Sequence, residues 1–303
     1  MSETNEPPEE TPAPAPAAGR VVVGVDGSPH SLRALDRAAD EAHRRGAELE
    51  VVCGGLSARR SAYPETEADR ERMRQATREV AVGAADRARE RVPGLTITAI
   101  GLSEPAADAL VHRSRTAELT VVGTRGHGGF RGLMVGSVSL RLAAHAAGPL
   151  MVVRGDSPEP GAPPGETVVG LKWEGATEPV EFGFEVARRT GAPLWVVHSW
   201  IYPMLPGVAL RLSPREPSTE TKRAEQFLED TLRPFRERFP DVQLGAEQHQ
   251  GQAAEHLIKL SEGADMLVLG VRRQHRRLGL QLGPVVHQVL HHAKCSVVLV
   301  PVA

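Results

Sequence analysis

From Val122 to Ser139 the chain reads VGTRGHGGFRGLMVGSVS, a set of residue types suited to holding an anion. Gly123, Gly126, Gly136 and Ser137 set the pattern G-x-x-G-x9-G-S, and three more glycines lie inside it. Glycines let backbone N–H groups converge on phosphate oxygens, and a helix opening at Ser137 adds unpaired N–H groups and the positive end of its dipole. No Lys follows Gly136, so this is not a Walker loop. A glycine-rich loop without any ligand has the same composition and stays open as an alternative.

Other groups could contribute chemistry. Asp26 ends the first apolar run and is followed by Gly27, which suits either a carboxylate facing a ligand or a turn. Arg125 and His127 could neutralise phosphates or lie solvated in the loop. Arg272, Arg273, His275, Arg276 and Arg277 form a basic cluster that could receive an anion or an acidic partner, or be solvated without one. His287 and His291 fall at i, i+4 with His292 beside them, but no Cys or carboxylate is placed to complete a shell, so no metal site is expected there. The two cysteines, Cys53 and Cys295, sit in Val-rich runs and read as buried, inert thiols. No catalytic residue stands out, and slow turnover of a bound ligand is the most that any enzymatic reading supports.

These residues need a frame, and the apolar pattern supplies one. Strands are expected at Arg20–Asp26, Leu49–Cys53, Leu95–Gly101, Leu119–Gly123 and Leu150–Val153. Helices are expected at His30–Arg45, Glu67–Arg91, Pro105–Arg115 and Ser137–Ala147, with a longer loop from Gly54 to Thr66. Strands alternating with helices predict a parallel sheet covered on both faces, with the ends bearing Asp26, Cys53 and Gly123 along one edge.

After the Pro- and Gly-rich segment GDSPEPGAPPG the pattern restarts. TVVGLKW repeats VVVGVDG, GAPLWVVHSW repeats GAELEVVCGG, and ADMLVLGVRR repeats AELTVVGTRG, at an offset of about 146 residues. The chain is therefore a tandem duplication. Residues 1–19 read as a disordered tail, 20–154 as a first domain carrying the glycine loop, 155–166 as a linker, and 167–303 as a second domain. The second copy keeps Gly270 and Gly283 but puts Lys172 at the place of Asp26, Arg273 at that of Gly126 and Pro284 at that of Ser137. Its copy of the loop reads as degenerate, because Pro284 removes an N–H donor from the cradle.

The chain of 303 residues is long enough for two cores. A net charge of −2 makes binding of nucleic acid along the whole surface unexpected. Apolar runs are strand-sized, so no membrane span is expected. The cysteine count and the acidic, Pro-rich start, which lacks the marks of a signal peptide, place the protein in the cytoplasm.

An α/β domain with Asp at the end of its first strand and G-x-x-G-x9-G-S after its fourth resembles the universal stress protein family, here in tandem. The resemblance implies a five-stranded parallel sheet in each domain and ATP, with Mg²⁺, at the strand C-terminal edge of the motif-bearing half. It implies contacts from Asp26 and Gly54 to the adenosine end. Val122, Gly123, Arg125, Gly126 and His127 would border ribose and phosphates, with Gly136, Ser137, Val138 and Ser139 as phosphate donors. It also implies that the two domains meet through their fifth strands, Pro149–Arg154 and Ser296–Val300, with homodimerisation as a further option. The function expected is nucleotide-dependent regulation of a stress response or of a protein partner. A nucleotide-independent interaction module is the alternative.

Overall fold

A computed structural model describes residues 19–55, 66–126, 135–155, 159, 163–172, 176–201, 219–272 and 282–302. In the first half the elements are β1 (Arg20–Gly24), α1 (Pro29–Arg45), β2 (Glu48–Gly55), α2 (Glu67–Arg91), β3 (Ile97–Pro105), α3 (Ala106–Arg113), β4 (Leu119–Gly123), α4 (Ser137–His145) and β5 (Leu150–Val153). The second half repeats the order as β6 (Thr167–Leu171), α5 (Glu178–Thr190), β7 (Leu194–Trp200), α6 (Thr219–Arg238), β8 (Leu244–Gln250), α7 (Ala253–Leu260), β9 (Met266–Arg272), α8 (Pro284–His292) and β10 (Ser296–Val302).

Local signals explain the boundaries. Ser28 caps α1 by accepting from the Ser31 N–H, Pro29 stands in its first turn, and Gly46 ends it in the left-handed conformation at φ 63°. Thr66 and Asp69 form a capping box at α2. β1 stops earlier than its apolar run suggests. The Val25 N–H still reaches the Val52 carbonyl at 2.9 Å, but the Asp26 N–H turns to Ser31 Oγ at 3.2 Å and leaves the ladder. β2 runs on through Gly54 and Gly55, which the sequence places in a loop, and β3 extends to Pro105, whose ring suits it to stand before α3.

All ten strands join one sheet in the order β3-β2-β1-β4-β5-β10-β9-β6-β7-β8. Neighbours within each half are parallel. The halves meet where β5 pairs antiparallel with β10, Val152 opposite Val297 and Leu150 opposite Leu299. One apolar core, with α1, α2, α5 and α6, covers one face of the sheet, and another, with α3, α4, α7 and α8, covers the other. Each core draws residues from both halves, so the seam is packed on both sides.

Polar contacts reinforce the seam. Arg37 of α1, 5% exposed at its side chain, holds Asp265 in a two-pronged pair at 3.0 and 2.6 Å. The Arg45 guanidinium lies 5.5 Å from the Phe182 ring centre. Antiparallel pairing at β5 and β10 also sends the C-terminal strand edges of the two halves to opposite sides of the sheet. The start of β10 and the end of α8 therefore lie near the functional edge of the first half.

Candidate functional site

The site gathers at the C-terminal ends of β1, β2 and β4, which the parallel pairings place side by side. Beyond β1 the chain turns at Gly27, whose φ of 81° favours glycine. Asp26 serves that turn, since its Oδ1 accepts from the Ser28 N–H at 3.0 Å. The other carboxylate oxygen faces the glycine loop. A Cβ on Gly126 would lie 2.2 Å from Asp26 Oδ2, so glycine is what allows the two segments to meet. The turn reading of Asp26 is met by Oδ1, while Oδ2 lies toward Gly126.

β4 supplies Val122 and Gly123, both buried. Gly123 abuts the backbone of α1, where a Cβ would lie 2.6 Å from the His30 carbonyl oxygen. Thr124, 3% exposed, accepts the Gly136 N–H at 2.6 Å, which closes the base of the loop. Arg125 is exposed and Gly126 half-buried. His127 lies outside the described residues.

Gly136 is the N-cap of α4, and no side chain among the described residues caps that helix. The first-turn N–H groups of Ser137, Val138 and Ser139 are thus available to a ligand at the positive end of the helix. Ser137 is exposed, and Val138 is half-buried against the core. Ser139 departs from expectation: its hydroxyl is buried and donates to the Gly123 carbonyl at 2.7 Å, so it braces α4 against β4 instead of donating to a phosphate. Gly54 is also explained within the fold, because a Cβ there would lie 2.4 Å from Ala106 Cα at the start of α3.

Two groups join the site that the motif does not include. His30, in the first turn of α1, has Nδ1 2.7 Å from Arg33 Nη2 and 3.5 Å from Thr124 Oγ1. Burial lowers its pKa, and the charges of Arg33, Arg125 and Arg154 push the same way, while Asp26 opposes them. Arg154, just past β5, donates to the Leu290 carbonyl of α8 at 2.6 Å. Burial and then the nearby Arg125 lower the pKa of Arg154, which marks a cationic corner short of negative charge. The repeated crossovers offer no linear signal for Arg154, since its neighbours come from α8.

The cysteines are chemically quiet. Both are free and buried, and burial raises Cys53 to about 11, helped by Asp26, and Cys295 to about 12. His287 and His291 stack at 4.5 Å between ring centres. In the basic cluster of the second half only Arg272 is among the described residues, and Trp173 also lies outside them. Pro284 opens α8 behind the N-cap Gly283, at the place Ser137 holds in α4. No helix among the described residues is long and apolar enough to cross a membrane.

The model of the universal stress protein family matches residues 18–154 and again 168–301. A universal stress protein of Mycolicibacterium smegmatis is 30% identical over 288 residues, covering 92% of this chain and 96% of the relative. The crystal structure of a universal stress protein from Archaeoglobus fulgidus aligns over 93% of this chain and 98% of its own at 16% identity, with a TM-score of 0.66, a likeness of fold. A solved universal stress protein in complex with cAMP aligns with 46% of this chain and 99% of its own, at 29% identity and a TM-score of 0.37.

Proposed function

Because the chain belongs to the universal stress protein family in both of its halves, we propose that the first half binds one adenine nucleotide and that the second does not. The nucleotide is ATP, and its occupancy regulates what the protein contacts in a stress response. One observation carries this reading. Gly126 lies so close to Asp26 Oδ2 that any side chain there would push the carboxylate away, beside a helix N-terminus that no side chain among the described residues caps. The second half keeps the turns of the fold but puts Lys172, Arg273 and Pro284 at the corresponding places. A fold that manages without the glycine, the acid and the serine in one copy does not need them for architecture in the other.

Each group has a task in this reading. Asp26 accepts hydrogen bonds from ribose hydroxyls, and the backbone at Gly54 and Val122 borders the adenosine. The N–H groups at the start of α4 and the Ser137 hydroxyl donate to the phosphate chain, within the positive field of Arg125 and Arg154. Mg²⁺ would be held by phosphate oxygens and water, as is usual for this ion.

The test is to denature purified protein and identify any released nucleotide by mass spectrometry, then to follow the thermal stability of stripped protein with ATP, AMP and cAMP. The reading predicts an adenine nucleotide in the extract and the largest stabilisation with ATP and Mg²⁺. An empty extract together with no stabilisation by any of the three would leave a nucleotide-independent interaction protein as the better account.

A further inference from the structure

We infer that Glu247, His249 and His256 form a binding site for a divalent transition-metal ion at the outer edge of the second half. Glu247 and His249 stand two apart on β8, so the pleat sends both side chains to one face. The chain then turns at Gly251, and α7 brings His256 back over that face. The ligand atoms of the three side chains all lie within 4.8 Å of one another, and they form the one such group among the described residues.

The polar groups here are poorly served by the protein itself. His256 Nε2 is sealed from water and lies 3.3 Å from Glu247 Oε1, yet the two do not align as a hydrogen bond. The rings of His249 and His256 stack at 3.7 Å with 5° between their planes, which brings their ring nitrogens close together. Gly251 keeps space beside the pair, since a Cβ there would lie 2.7 Å from His249 Nε2. Two imidazoles and a carboxylate are the donor set of Zn²⁺ and related late divalent ions, with a fourth position left for water. Bonds of about 2.0–2.1 Å to both rings require the stacked pair to open into a V, which rotation about the side-chain torsions provides.

The duplication supplies an internal comparison. β3 and β8 pair in matching registers with their neighbours, and the first half carries Ile100, Leu102 and Ala109 where the second carries Glu247, His249 and His256. Leu102 and Ala109 are simply packed there. The fold at this place is satisfied by apolar side chains, so the three ligand-type residues are not a requirement of the sheet or the helix. Because β8 is the last strand of the sheet, an ion here would tie its open edge to α7.

The test uses the full chain without a histidine tag, stripped with a chelator and titrated with Co²⁺ alone, whose visible absorption reports four-coordinate binding. One equivalent per chain is expected, displaced by Zn²⁺ and raising the melting temperature. His256→Ala should abolish the band. Glu247→Gln, at a half-exposed position that folding tolerates, should weaken binding by at least roughly tenfold. His291→Ala should change nothing. Absence of the band in the parent chain, its survival undiminished in both His256→Ala and Glu247→Gln, or its loss in His291→Ala would overturn the assignment.

Discussion

Gly126→Ala adds one methyl group at the point where the glycine loop meets Asp26. The backbone at Gly126 is not among the positive-φ glycines, so alanine is allowed there conformationally and only the contact matters. A Cβ would start 2.2 Å from Asp26 Oδ2, and ordinary contact begins near 3.4 Å, so the carboxylate must retreat by about 1.2 Å. The side chain is short, and the retreat also swings Oδ1 away from the Ser28 N–H it holds at 3.0 Å. The same retreat withdraws the carboxylate from the ribose hydroxyls it is proposed to hold, and losing one hydrogen bond to a charged group costs about 1.5–3 kcal/mol. ATP affinity should therefore fall roughly 10–150-fold. The assay is a double-mutant cycle of Gly126→Ala and Asp26→Ala, read by calorimetric titration with ATP and Mg²⁺. If the glycine matters through the aspartate, the second change adds almost nothing to the first, and the coupling is nearly as large as the single effect. Wild-type affinity in Gly126→Ala, or effects that simply add, would refute the reasoning.

Three further outcomes are expected. Ser137→Pro gives α4 the residue that α8 carries; proline suits a first helical position, so the unfolding midpoint should hold while ATP binding, read by the same titration, weakens by roughly tenfold or more. Asp265→Ala strips Arg37 of its two-pronged partner and leaves only Glu41, 3.7 Å away, so urea unfolding should register a loss of about 3 kcal/mol, and a change below about 0.5 kcal/mol would contradict a structural role for the pair. Burial lowers the pKa of the fully enclosed His198, whose Nδ1 lies 3.0 Å from the Leu171 carbonyl, so the unfolded chain takes up a proton first; this contribution is whole above the unfolded value of 6.5 and is lost as pH falls below it. Urea midpoints should fall from pH about 7.5 to 5.5, less steeply in His198→Gln, and equal slopes in the two proteins would contradict it.

The sequence made the repeat and the strand-helix alternation legible because both rest on local period and on punctuation by Gly and Pro. It marked Asp26, Gly123, Gly126 and Gly136 for the same reason, since turns leave local signatures. It did not reveal why each glycine is there. Gly126 answers to Asp26, but Gly54 answers to Ala106 and Gly123 to His30, contacts between elements far apart in the chain. The engagement of the Ser139 hydroxyl left no trace in the sequence, because a serine in the first turn of a helix looks the same whether it faces a ligand or reaches back to a strand carbonyl. Arg154 and the cluster of Glu247, His249 and His256 were invisible as sites, since the first depends on the antiparallel seam and the second on a crossover returning α7 over β8.

Stoichiometry tests the central claim most directly. Calorimetric titration of nucleotide-stripped protein with ATP and Mg²⁺ should give one site per chain, lost in Gly126→Arg and retained in Lys172→Ala. Two sites per chain, or a single site that survives Gly126→Arg, would contradict the assignment of the nucleotide to the first half.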